Sequence, residues 1–149
     1  MARRYKIPEG LKVTPDGSWH TGDRPVAHQA TLRYLKAQLQ FEDEGAFIVD
    51  GEKRMPIEIE GPPFEVVTFE LDEAASFAKL RLDDGSEEEL GEKALEMNEE
   101  SGRLECRVRE GRGCATLSSG AHQTLLEHAV EEDGAFYLAC GDSRYLIRT

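Results

Sequence analysis

The sequence predicts an α+β fold of mostly antiparallel strands with two short helices, arranged as two similar strand-strand-helix-hairpin halves. Three observations carry this expectation. Ala27-His28-Gln29 returns as Ala121-His122-Gln123, and the turn Glu44-Gly45-Ala46-Phe47 returns as Asp133-Gly134-Ala135-Phe136. Both copies then run through a Gly-acidic-x-Arg step, Gly51 to Arg54 and Gly141 to Arg144. Between these landmarks lie short alternating apolar stretches broken by Gly and Pro, which read as hairpin-connected strands. Internal similarity of this kind constrains architecture before any element is assigned, and it says nothing of function.

Leu11 to Val13, a turn at Pro15-Asp16-Gly17 and Ser18-Trp19-His20 read as a first hairpin. Pro25 suits the start of a helix, and His28, Leu32, Leu35 and Leu39 then follow the spacing of one buried helical face. That helix is expected to end near Phe41, before the acidic turn. Phe47-Ile48-Val49 and Ile57 to Glu60 form the next hairpin, closed by Gly61-Pro62-Pro63 because proline cannot donate into a ladder. Val66 to Leu71 is the clearest strand, and the stretch that follows it, through Ser76, is the expected seam. The halves are therefore placed at 8–72 and 77–149, packed around a shared core. In the second half, Phe77 to Leu82 alternates as a half-buried strand, and the acidic run from Glu87 to Glu92 reads as a solvated loop or short helix. Leu95 to Met97 and Leu104 to Arg109 read as strands joined by a turn, and Gly111-Arg112-Gly113 turns again into Cys114 to Leu117; Ser118-Ser119-Gly120 then supplies helix-starting oxygens. His122, Leu125, Leu126 and Ala129 make the stripe of the second helix, and a closing hairpin ends the chain.

Composition bounds the function. Eighteen basic residues against thirty acidic ones give a net charge of −12 over 149 residues. Such a chain lacks the cationic surplus that phosphate backbones and anionic bilayers require, so neither nucleic acid nor membrane is an expected partner. A protein partner or a small ligand is compatible with the sign of the charge. No apolar run is long enough to span a bilayer, and the basic residues 1–6 lack the apolar stretch of a secretory signal. Cys106, Cys114 and Cys140 have no framework spacing and read as reduced thiols of a cytoplasmic protein, with Cys106 and Cys140 as small buried hydrophobes.

No enzymatic signature is complete. Gly111-Arg112-Gly113 begins like a dinucleotide loop but lacks the third glycine and the surrounding βαβ unit. No cysteine spacing suits zinc, and neither a cofactor nor a metal is expected. The ligand-binding candidates are His28 and His122, each placed near a helix N-terminus, where convergence about a pseudo-twofold axis would let them share a metal or a proton. The bland alternative for both is a helix cap. Arg54 and Arg144 occupy matching places and suit an anion, against the alternative of edge-strand cations that discourage sheet association. Trp19 is a ligand platform or core closure. His128 with Cys114 or His122 is a weaker metal cluster.

Several segments together resemble the bacterial proteins of domain-of-unknown-function family 1285. These are Gly17-Ser18-Trp19 followed by Arg24-Pro25-Val26 and the Leu-rich helix, Gly45 to Val49, and Ile57 through Pro63-Phe64, with Arg107-Val108-Arg109-x-Gly111 in the second half. The resemblance runs from about Leu11 to Thr149. It implies a two-part fold with repeated motifs and a role in signal transduction, with no established activity and no site to carry over. The expectation is therefore a non-catalytic bacterial regulatory, ligand-sensing or interaction module. The competing class is a small enzyme or metal-binding protein using a cleft between the halves.

Overall fold

The structure is a computed structural model and describes residues 7–149; the basic residues 1–6 lie outside the described residues. The fold is α+β, mostly strand, and the chain divides into two compact units, Met1–Pro63 and Phe64–Thr149.

In the first unit, β1 (Leu11–Val13), β2 (Trp19–Thr21) and β3 (Arg24–Pro25) precede helix α1 (Gln29–Ala37), and β4 (Leu39–Glu42), β5 (Gly45–Asp50) and β6 (Lys53–Ile59) follow it. Its six-stranded sheet has the order β3-β2-β1-β6-β5-β4, in which β1 and β6 run parallel and every other neighbour antiparallel. Period-2 alternation places Leu11, Val13, Trp19, Leu39, Ile48 and Ile57 in the core. Leu35 of α1 is fully buried with them.

The second unit opens with β7 (Phe64–Asp72), β8 (Phe77–Leu82) and β9 (Glu87–Glu89). It continues with β10 (Leu95–Met97), β11 (Leu104–Val108) and β12 (Gly113–Leu117), helix α2 (Ser119–Glu127), then β13 (Ala129–Glu132), β14 (Ala135–Cys140) and β15 (Ser143–Arg148). The nine-stranded sheet has the order β13-β14-β15-β10-β11-β12-β7-β8-β9, with parallel pairs at β10–β15 and β12–β7. Removing β7, β8 and β9 leaves the strand order of the first unit. The registers coincide as well. Leu39 faces Ile48 as Ala129 faces Leu138, and Val49 faces Arg54 as Ala139 faces Arg144, each pair shifted by 90 residues.

These topologies correct the sequence reading in four places. Helix α1 is preceded by three strands and α2 by six, and each is followed by three, so neither region is a strand-strand-helix-hairpin half. Helix α1 stops at Ala37, and Leu39 is buried from a strand rather than from the helical stripe. The stretch Val66–Leu71, placed in the first half, pairs with β8 and β12 and so belongs to the second unit. Finally, the acidic run is neither loop nor helix at Glu87–Glu89 but the edge strand β9. Its charge is tolerated because Glu87 meets Lys79 at 3.2 Å and Arg81 at 2.7 Å across the ladder. The Arg81 contact, followed by that of Lys79, holds the Glu87 carboxyl below its ordinary range.

Candidate functional site

Each candidate side chain from the sequence has a place in its own unit. Arg54 lies on β6 and Arg144 on β15, both interior strands of their sheets, so neither is an edge-strand cation. Arg54 meets Glu42 at 2.6 Å and Glu44 at 2.9 Å, and its guanidinium stands 3.8 Å from the centre of the Phe47 ring. Hydrogen bonding to Glu44, ahead of that to Glu42, raises its pKa further. Arg144 Nε donates to Glu132 at 3.2 Å, the carboxylate at the position equivalent to Glu42. Its Nη1 donates to the carbonyls of Gly141 and Ser143, both at 3.0 Å. The two guanidiniums thus reach across the middle strand of equivalent three-strand ribbons, from β6 over β5 to β4 and from β15 over β14 to β13.

The two histidines do not occupy equivalent positions. His28 is the residue that caps α1: its Nδ1 accepts from the Thr31 backbone N–H at 3.2 Å. The equivalent residue before α2 is Ser118, whose Oγ accepts from the Ala121 N–H at 3.1 Å. His122 lies inside α2, with its own N–H donating to the Ser118 carbonyl at 2.8 Å. Trp19 is buried, and its Nε1 donates to the Pro63 carbonyl at 2.9 Å. An open cavity of about 830 Å³ in the first unit is lined by Ile7, Pro8, Glu9, Lys53, Arg54 and Met55, so Arg54 is the one sequence candidate on it.

The thiols are placed against reactivity. Burial, reinforced by nearby carboxylates, pushes Cys106 and Cys114 up to about 12 and raises Cys140. All three are therefore protonated at neutral pH and poor nucleophiles. No group of three His, Cys, Asp or Glu side chains among the described residues has a metal-holding arrangement. His128 is instead tied to its own helix, its Nδ1 donating to the Thr124 carbonyl at 3.0 Å.

Sequence reasoning missed a groove in the second unit, between α2 and the end of the β7–β8 hairpin. Its volume is about 650 Å³, and Phe69, Leu71, Asp72, Glu73, Thr124, Glu127 and His128 line it. Phe69 is buried, while Asp72, Glu73 and Glu127 are exposed. The turn forming one wall is held firmly. Asp72 Oδ1 accepts from the Ala75 N–H at 3.0 Å, and Ser76 Oγ accepts from the Asp142 N–H at 2.7 Å. Ser143 Oγ donates to the Ser76 carbonyl at 2.6 Å. The signal for this groove was absent from any one segment, because it joins residues more than fifty positions apart through the parallel pairing of β12 with β7.

No family model matches the sequence, and no curated protein does. Solved structures are similar. A DUF1285 family protein from Silicibacter pomeroyi superposes with a TM-score of 0.74 at 19% identity, covering 95% of this chain and 81% of that one. Another, from Shewanella baltica, gives 0.61 at 12% identity, covering 80% of this chain and 91% of that one. The fold is therefore DUF1285-like, in line with the resemblance read from the sequence. At these identities the likeness concerns the fold alone. No helix among the described residues is long and apolar enough to cross a membrane.

Proposed function

We propose that this protein is a non-catalytic regulatory or interaction module, built from a duplicated three-strand, helix, three-strand unit. The observation that supports this is the use already made of its reactive-looking side chains. Arg54 and Arg144 each tie the outer strands of a three-strand ribbon, His28 caps a helix, and Trp19 lies in the core. The duplication is supported by the common strand order and the constant shift of 90 residues between equivalent registers. An interaction role is favoured by the surface of the second unit. Val67, Leu126 and Phe136, the exposed large apolar side chains among the described residues, all belong to it. Bacterial signal transduction is the setting the DUF1285 resemblance implies.

The test is a thermal-shift screen of the purified protein against metals, nucleotides and small metabolites, since any ligand of the native state raises its melting temperature. Each compound that shifts the transition is then followed by mass spectrometry. A bound but unconsumed ligand, or silence throughout with a partner recovered by pull-down, is the expected result. Turnover of any compound, lost when its contacting residue is replaced, overturns the reading.

A further inference from the structure

We infer that strand β9 is an electrostatically latched flap: Arg109 of the β11–β12 turn and the cations of β8 hold it shut, and weakening those contacts opens it as a local unit that leaves the edge of β8 unpaired. The ladder gives the first reason. Among the described residues β9 pairs with β8 alone, at the end of the nine-stranded sheet, through Lys79–Glu89, Leu80–Glu88 and Arg81–Glu87. In the flanking pairs the Leu82 N–H donates to the Ser86 carbonyl at 2.9 Å and the Leu90 N–H to the Ala78 carbonyl at 3.0 Å. Antiparallel alternation then makes Leu80 and Glu88 the pair that exchanges ladder bonds between them. No side chain of β9 is buried, so little apolar contact opposes its lifting.

What holds the strand is charge. On one face Glu87 meets Lys79 at 3.2 Å and Arg81 at 2.7 Å, within reach of solvent, where dissolved salt screens the attraction. On the other face Glu88 Oε1 accepts from the Arg109 backbone N–H at 3.0 Å. The Arg109 guanidinium donates through Nη2 to Asp84, whose side chain is buried in the β8–β9 turn, and lies 5.0 Å from the centre of the Phe64 ring. Ser86, the residue before β9, donates to the other Asp84 oxygen through its N–H at 2.9 Å and its hydroxyl at 2.6 Å. One arginine thus ties the flap at two points.

The turn that carries Arg109 is itself strained. Arg109 and Glu110 have φ of 53° and 58°, the left-handed region that residues other than glycine rarely adopt. Such a conformation persists where its surroundings over-determine it, and the bonds to Glu88 and Asp84 are what the surroundings supply. Arg109 Nε is buried without a hydrogen-bond partner among the described residues, a further cost of the closed arrangement. The second arginine of Arg107-Val108-Arg109-x-Gly111 is therefore the pin of the latch. The opposite edge of the same sheet differs. Although Glu132 of β13 meets Arg144, the strand also carries the half-buried apolar residues Ala129 and Val130, on which salt has little hold. Two fixed points bound the flap: the Asp83 N–H donates to the Glu65 carbonyl at 3.0 Å, and Leu90 is buried, so opening is confined to the residues between them.

The experiment is amide hydrogen exchange of the full-length protein, followed by NMR at one pH in about 0.05 M and about 0.5 M sodium chloride. The Leu80 and Glu88 amides should exchange together and at least about fivefold faster in the higher salt, while Val130 of β13 changes less than about twofold. Arg109→Gly removes the pin yet suits the left-handed backbone. It should speed both amides at least about tenfold in the lower salt, with Val130 again within about twofold. Glu87→Gln leaves the turn intact and should speed them less, with a weaker salt response. An unchanged Glu88 rate in high salt, equal acceleration at Val130, or a Leu80 amide that stays protected while Glu88 exchanges overturns the latch. So does wild-type protection of Glu88 in both variants. Should Arg109→Gly fail to fold, the salt series and Glu87→Gln decide the matter.

Discussion

Gly51 and Gly141 occupy equivalent turns, between β5 and β6 and between β14 and β15, with φ of 62° and 57°. Their surroundings differ completely. Nothing lies within 4 Å of where a side chain would begin at Gly51, while at Gly141 that position falls 2.1 Å from the Glu73 carbonyl oxygen and 2.5 Å from Ser76 Oγ. The cause is the three strands β7, β8 and β9, which have no counterpart in the first unit. Their hairpin turn rests on the β14–β15 turn, while β7 pairs with β12. The same ribbon thus ends freely in one unit and serves as a clamp in the other. Two ribbons of the same strand order thus differ where the β7–β8 hairpin leans on one of their turns, and the groove lies beside that contact.

The largest effect that sharpens this contrast should come from alanine at the two glycines. Both substitutions force a side chain into the left-handed region, at about 1–2 kcal/mol. Gly141→Ala must in addition displace the Glu73 carbonyl, an overpacking cost of about 1–3 kcal/mol more. Urea unfolding should therefore show Gly51→Ala mildly destabilised and Gly141→Ala destabilised at least twice as much. Equal losses would mean that the turn–turn contact contributes nothing.

The helix caps should differ in the same direction by a smaller amount. His28 satisfies the Thr31 N–H and Thr31 Oγ1, contacts local to its own helix. Ser118 accepts from Ala121 and also donates to the Val67 carbonyl at 2.8 Å, where the β7–β8 register slips between Val66 and Thr68. A bulge leaves a backbone group without a ladder partner, and here the added hairpin has recruited the capping serine to supply one. Ser118→Ala should cost about 1–2 kcal/mol and His28→Ala about half of that. Protection of the β7 amides from hydrogen exchange should fall in Ser118→Ala, with no matching local loss around α1 in His28→Ala.

The contrast also explains what the sequence disclosed. The two acidic turns and the Gly-acidic-x-Arg steps are separated by 89 and 90 residues, close to the structural shift, because turn geometry and ladder register demand particular residues at particular places. The Ala-His-Gln match is separated by 94 residues and misled the phase of the helices. A three-residue identity is weak, and helix register is set by the cap and the buried leucines: Leu35 and Leu125, also 90 apart, are both buried. Strands β4 and β13 went unrecognised because Leu39 and Ala129 extend the helical spacing by one more turn, so periodicity alone could not mark where the helix stops. The strand β9 was hidden by its composition, three glutamates of which Glu87 is matched by Lys79 and Arg81 on the preceding strand. The groove was illegible for a different reason, since it depends on a parallel pairing that no local pattern encodes.

The smallest difference lies at Tyr34 of α1, whose equivalent in α2 is Thr124. The Tyr34 hydroxyl donates to Asp50 Oδ2, and burial, followed by the Asp50 hydrogen bond and charge, pushes its pKa up to about 12 from an ordinary 10.0. Folding then favours the neutral phenol, so its contribution is present in full below pH 10.0 and is lost as the pH rises toward about 12. Tyr34→Phe should lower stability by about 1 kcal/mol at neutral pH, and the gap from wild type should narrow steadily above pH 10.0. Cys106 and Cys114, also held to about 12, soften both proteins alike over that range, so the difference between the two curves isolates the phenol. Thr124, whose Oγ1 donates to the Gly120 carbonyl at 3.1 Å, has no proton to lose there. Thr124→Val should accordingly run parallel to wild type at every alkaline pH, and a gap at Tyr34 that does not close would break the assigned contact with Asp50.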